Sequence, residues 1–245
     1  MSLANENQTD SEKTPNAKTV KIWDLPVRIF HWSLVILFVA AYVTNSLGSE
    51  YFTYHLWTGY AMIVLVSFRI LWGLVGTYHA RFINFIRNPI TTTKYAVSFL
   101  KKTEKHYAGH NPLGAIMVVI LLLGILVQAV TGLFTNDEIL NVGPLYAYVT
   151  DELSLKLTSL HRQIFYWILG AIVLHILAVA FHVWFKRDNI IKAMFTGKKN
   201  AEGLEGEPTI KSSRIWLAII IVVALALVLA WVISSAPVPV TSTEY

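Results

Sequence analysis

The sequence contains no cysteine. That excludes disulfides, thiolate metal sites, iron–sulfur clusters and the C-x-x-C-H attachment of c-type haem, so any cofactor must be held non-covalently by other side chains. Charge is scarce as well: only 14% of the 245 residues are Asp, Glu, Lys or Arg, against about a quarter in soluble domains. With 55% hydrophobic residues and a mean hydropathy of +0.52, the composition argues against a soluble globular protein. Internal repeats, low-complexity tracts and a Gly-rich phosphate loop are not evident, which argues against repeat-built transporters and nucleotide-binding folds.

What the chain has in quantity is apolar runs of about 20 residues, the length that crosses a bilayer. Five are read, at 27–47, 52–76, 112–134, 160–185 and 214–233. Each is expected to be helical, because lipid offers backbone polar groups no other partner. Pro26 and Pro112 sit where a first helical turn tolerates proline. Trp23, Trp32, Trp57, Tyr78 and Trp184 lie near span ends, as in aromatic belts. Residues 1–20 are polar, without an apolar core or a small-residue cleavage pattern, and read as a disordered tail and not as a signal peptide. The expected organisation is that tail, a transmembrane unit over 21–197, a linker over 198–213, and an additional transmembrane helix with a short outward tail over 214–245.

The net charge of +5 is a topology signal when read by position. The 77–111 connection holds Arg81, Arg87, Lys94, Lys101, Lys102 and Lys105 against Glu104; the 186–213 connection holds Lys186, Arg187, Lys192, Lys198, Lys199 and Lys211. The 48–51 connection has no base, and 135–159 has only Lys156 beside Asp137, Glu138, Asp151 and Glu152. The positive-inside rule then places the N-terminus and both basic connections in the cytoplasm of a bacterial inner membrane. The 135–159 loop and the C-terminal tail face outward, to the periplasm of a Gram-negative host, where the acidic loop is a docking surface for a periplasmic partner or merely a solvated loop.

An ionisable residue inside a membrane span is costly and marks function by default. His31 lies near the inner end of the first span and His55 near the outer end of the second; the fourth carries His161 at its outer end, then His175 and His182. The interval 175 − 161 is 14 residues, about 21 Å of rise and about 40° short of four full turns, so both imidazoles point to one side near opposite membrane faces. That arrangement suits two stacked planar cofactors, each ligated by one neutral imidazole from this helix and one from another. The outer pair by depth is His55 with His161. For the inner site, depth counting from Arg28 and Lys186 favours His182 opposite His31, while a spacing of seven residues keeps His182 on nearly the face of His175, so periodicity does not separate the two. His79 and His106, like His182, read as interfacial residues. Arg69, 14 residues after His55, points to the inner site or snorkels to the interface.

The stretches IWDLPVRIFHW around His31, YHLWTGYAMIVLVSFRILWGLVG from His55, GHNPLGAIMVVILLLGILVQAVTGLF from His110 and HRQIFYWILGAIVLHILAVAFHVWFKRDNIIKAM from His161 resemble the prokaryotic cytochrome b561 family. That family includes the b-type cytochrome subunits of nickel–iron hydrogenases and of formate dehydrogenases. The resemblance runs over about residues 20–197, with four segments in order and their histidines in place. It implies an all-α membrane protein, a four-helix bundle holding two b haems by bis-histidine ligation, to which this chain adds a fifth, C-terminal helix. Carried over by position, it pairs His31 with His175 and His55 with His161, against the depth count for His182.

Bis-histidine iron has no open position, so electron transfer is the expected task, between membrane quinone and a periplasmic hydrogenase, dehydrogenase, reductase or c-type cytochrome. Arg28, one turn before His31, and Arg162, next to His161, are candidates for haem propionates. His110 and Asn111 are candidates for a quinone pocket, although Asn-Pro is equally a helix start. A stand-alone cytochrome that oxidises superoxide or another small donor and reduces quinone is the alternative the resemblance allows.

Overall fold

The computed structural model describes residues 19–101, 103, 107–200, 204 and 208–237. The expectations for the first 18 residues, for His106 and for residues 238–245 of the outward tail lie outside them. After a short strand, β1 (Thr19–Lys21), Asp24 accepts the Val27 N–H at 2.7 Å and caps α1 (Leu25–Ser46), with Pro26 in its first turn. The chain returns in α2 (Phe52–Val75), then runs through α3 (Phe82–Phe85) and α4 (Pro89–Leu100). Two further long helices, α5 (Pro112–Gly132) and α6 (Asp151–Trp184), precede α7 (Ile190–Thr196), β2 (Lys198–Asn200) and α8 (Ile215–Ser234). Five of these helices, α1, α2, α5, α6 and α8, are long and apolar enough to cross a membrane.

Two readings of the sequence need correction, and one connection holds helices that sequence reasoning did not foresee. The fourth span starts at Asp151, not near 160: Thr150 caps it by accepting the Leu153 N–H, and Asp151 and Glu152 in its first turn suit the helix dipole. Much of the expected acidic loop is therefore helix, and the connection proper is 133–150. The 77–111 connection contains α3 and α4, the latter opened by Asn88, whose side chain accepts the Thr91 N–H at 2.7 Å. Thr19 and Val20, read as the end of a polar tail, pair antiparallel with Asn200 and Lys199 of the expected linker.

α2 is the central helix: α1, α5 and α8 all pack along it, and Val66 and Trp72 on it are fully buried. Of the other long helices only α5 packs along α6 for any length. α1 reaches α6 through rings, Phe38 and Tyr42 stacking on Phe165 at 6.0 and 5.7 Å. Outward-facing side chains such as Ile36, Trp167, Leu177, Trp216 and Leu227 are exposed and apolar, as a lipid-facing surface must be. At the end that carries the Lys- and Arg-rich connections, Ile210 N–H donates to Lys21 O at 3.0 Å and Arg214 to Val75 O at 3.1 Å, tying β1, the linker and α2 together.

Candidate functional site

At the end where α1 finishes and α2 begins, a cavity of about 270 Å³ opens among α1, α2, α5 and α6. His55 and His161 line it, together with Thr44, Gly59, Gly132 and Arg162. The ring centroids of the two histidines are 6.3 Å apart and their planes nearly perpendicular. His55 Nδ1 donates to Ala41 O of α1 at 3.0 Å, and His161 Nδ1 donates to Gln128 O of α5 at 2.8 Å. A carbonyl oxygen only accepts, so both Nδ1 atoms carry the proton and a neutral ring presents its Nε2 lone pair to the cavity. Gly132 makes room for this geometry, because a Cβ there would stand 2.9 Å from His161 Cε1. Arg162 is exposed at the rim.

At the basic end, His31 is half-buried in α1 with its Nδ1 sealed from solvent and unpartnered among the described residues. His175, half-buried in α6, lies close enough to act on it electrostatically. His182 takes a different corner: Asn111 Nδ2 approaches its Nε2 at 3.5 Å, and the Phe99 ring of α4 lies 6.3 Å away. Arg28 donates to Phe195 O of α7 while its Nε is buried without a partner among the described residues. Arg69 does not snorkel: it is 2% exposed, its guanidinium 5.1 Å from the Phe82 ring centre. His110 packs between the rings of Trp23 and Phe85, each 4.7 Å away. Burial pushes its imidazole down to about 3, and Arg69, His175, His31 and His79 add repulsion, so it is neutral at ordinary pH. The Asn111 side chain accepts the Gly114 N–H at 2.8 Å, the expected helix start. A small cavity of about 60 Å³ beside His110 is shared with His79, Asn84, Phe85 and Tyr107.

These residues fit haem iron. Two imidazoles line one cavity with Nδ1 held by a backbone carbonyl, which leaves Nε2 as the atom for axial ligation. A Cβ at Gly59, one turn beyond His55, would meet nothing within 4 Å, so the wall there is open to a flat group. No group of three or more His, Asp or Glu side chains suited to a bare metal ion occurs among the described residues. Sequence reasoning did not single out Gly59, Gly132, Gln128 or Asp24. The four-residue step from His55 to Gly59 was a legible signal; the contacts of Gly132 and Gln128 with His161 span 29 and 33 residues and needed the fold.

Five helices long and apolar enough to cross a membrane, with His55 and His161 brought together between two of them, suit a membrane cytochrome of the b type. The model of the prokaryotic cytochrome b561 family matches residues 22–197, and the chain belongs to that family. It is 27% identical over 228 residues to a probable Ni/Fe-hydrogenase B-type cytochrome subunit of Rhodobacter capsulatus, covering 78% of this chain and 85% of the relative. A protein of the same description from Azotobacter chroococcum is 24% identical over 78% of this chain and 93% of its own length. One from Bradyrhizobium diazoefficiens is 30% identical over 42% of this chain and 51% of its own. No solved structure matches significantly. α8 lies beyond the matched residues.

Proposed function

We propose that this chain conducts electrons through the membrane by way of two b haems, one between His55 and His161 and one between His31 and His175. The observation that carries the reading is the His55–His161 pair, 6.3 Å apart with each Nδ1 held by a backbone carbonyl. Such carbonyl bonds fix tautomer and ring orientation. The 14-residue step from His161 to His175 supports a second site at the basic end, where His31 Nδ1 is buried. A bis-imidazole b haem supplies one-electron transfer and offers no open position for oxygen.

The named relatives are hydrogenase subunits, so the redox partner inferred is a nickel–iron hydrogenase on the outer side, next to the His55 end. The basic connections face the cytoplasm in this reading, in an inner membrane. Membrane quinone exchanges electrons at the basic end, with His110 and Asn111 bordering it; Arg28 steadies propionates at that end and Arg162 at the His55 end. Haem quantification and reduced-minus-oxidised spectra of the wild type and of His31→Ala, His55→Ala, His161→Ala, His175→Ala and His182→Ala test the ligand set. Two haems per chain, with loss at the first four substitutions and none at His182, is the expected result. Loss at His182 in place of His175 would reassign the inner site, and no haem at all would end the reading. The quinone assignment is wrong if substituting His110 and Asn111 together leaves quinone turnover unchanged with haem retained.

A further inference from the structure

Arg69 is the most anomalous side chain in the bundle. Its guanidinium is buried, and neither Nη1 nor Nη2 has a hydrogen-bond partner among the described residues. A buried cation left so is strongly destabilising unless an anion or a strong acceptor meets it. The carboxylate whose charge acts on it is Asp24, itself 1% exposed, but both Asp24 oxygens are engaged elsewhere. Oδ1 accepts the Val27 N–H at 2.7 Å; Oδ2 accepts Trp72 Nε1–H at 3.0 Å and the Thr77 hydroxyl. Phe82 and Phe85 cover the guanidinium from 5.1 and 6.0 Å, and the close approach of Phe82 depends on Gly73, whose Cβ would fall 2.1 Å from that ring.

Position connects this orphan cation to the inner site. Arg69 follows His55 by 14 residues on α2, and His175 follows His161 by the same interval on α6. Since His55 and His161 share one level, Arg69 and His175 share another, about 21 Å away. Arg69, His31 and His175 also surround His110, whose Nδ1 is likewise buried and unpartnered. One carboxylate group placed there would meet the guanidinium nitrogens in the bidentate manner that Arg favours.

We infer that Arg69 is the anchor for a propionate carboxylate of the haem between His31 and His175, and that Asp24 is a positioning residue that holds the α1–α2 end around it. This rests on the two-haem reading above. The experiment uses the full chain purified with haem labelled with ¹³C at its propionate carboxylates. Redox-difference infrared spectra and redox titrations are recorded for wild type, Arg69→Lys and Arg69→Gln. In Arg69→Gln the labelled carboxylate bands of one haem shift. Loss of a nearby positive charge favours ferric iron, so at a fixed ambient potential that haem's oxidised-to-reduced ratio rises about tenfold while the other haem is unchanged. Arg69→Lys restores the ratio but not the bidentate band pattern. Unchanged bands in Arg69→Gln, with both haems present, overturn the inference alone. A wild type with one haem overturns the two-haem reading and the inference with it. Should Arg69→Gln fail to fold, the wild type decides: labelled carboxylates that behave as solvated groups at both haems refute the anchor.

Discussion

Gly59→Leu separates the chain's own stability from its capacity for a flat cofactor, because the two should move in opposite directions. Gly59 stands within α2, one turn beyond His55, and a Cβ added there meets no atom within 4 Å. In the haem-free chain the substitution exchanges a poor helix former for a good one, a gain of about 0.8–1 kcal/mol in a helix interior. In the loaded chain the isobutyl group extends into the cavity of about 270 Å³ that His55, His161 and Arg162 share. Forcing extra methylenes into an occupied space costs about 1–3 kcal/mol. That cost weakens haem binding at this site about 5- to 150-fold. Thermal unfolding of haem-depleted protein in detergent, followed by circular dichroism, reads the first effect; haem per chain by pyridine haemochrome reads the second. The expected result is a higher melting temperature without haem and the loss of one haem of two when loaded. A Gly59→Leu chain that keeps its full haem content with an unaltered spectrum would refute the placement of a cofactor beside Gly59.

Three further outcomes are expected. Gly132→Ala drives a methyl to 2.9 Å from His161 Cε1 and dislodges the ring from Gln128 O; haem affinity at that site should fall about 10- to 100-fold, read by titrating haem into depleted protein. Thr77→Val removes a buried donor to Asp24 and should cost about 1.5–3 kcal/mol, measured as a lower unfolding temperature with haem ligation intact. Burial would raise the Asp137 carboxyl, but the backbone N–H groups of Asn141, Ile139 and Leu140 and the Asn141 side chain outweigh it and hold it at about 2. A depressed value means that the carboxylate's contribution to the 133–150 connection is complete above about pH 4 and is lost as pH falls towards 2. Hydrogen exchange at the Asn141 amide should show that dependence, and Asp137→Asn should flatten it.

The five long helices were legible because lipid leaves an apolar run of that length one backbone solution, and Pro26 and Pro112 marked two of their starts. The pairing of His55 with His161 was read from their common depth near the outer ends of their spans, and the ring distance of 6.3 Å agrees with it. The start of α6 was missed because residues 151–159 are mixed in polarity, and a search for apolar runs passes over the Thr-Asp-Glu cap that begins them. α4 escaped for the same reason: Thr91, Thr92, Thr93 and Lys94 dilute its hydropathy, although Asn88-Pro89 is the same start signal as Asn111-Pro112. The β1–β2 pair joins three-residue strands about 180 positions apart, and nothing local in Thr19–Lys21 specifies a partner in Lys198–Asn200. For Arg69, spacing offered the inner site or the interface as alternatives; only the fold shows the guanidinium buried under Phe82.

The two walls of the His55–His161 cavity are held very differently. α2 is gripped by α1, α5 and α8, and the segment before α8 binds the same helix's end through Arg214 and Val75 O. That segment also fixes the neighbouring turn, His79 Nε2 donating to Pro208 O at 2.7 Å. α6 has α5 along its length and, against α1, the Phe165 stack. In lipid, helices gain little from apolar contact with one another, since acyl chains are as good a neighbour. Side chains such as Phe165 and His161 that reach across the cleft therefore carry more of the α6 attachment than its length suggests. A flat group ligated from both walls would complete that attachment, and the helix that α8 braces is the one bearing His55, Gly59 and Arg69. The addition beyond the family-matched residues thus packs against the wall that carries His55, Gly59 and Arg69, while the wall that carries His161 and His175 is held along its length by α5.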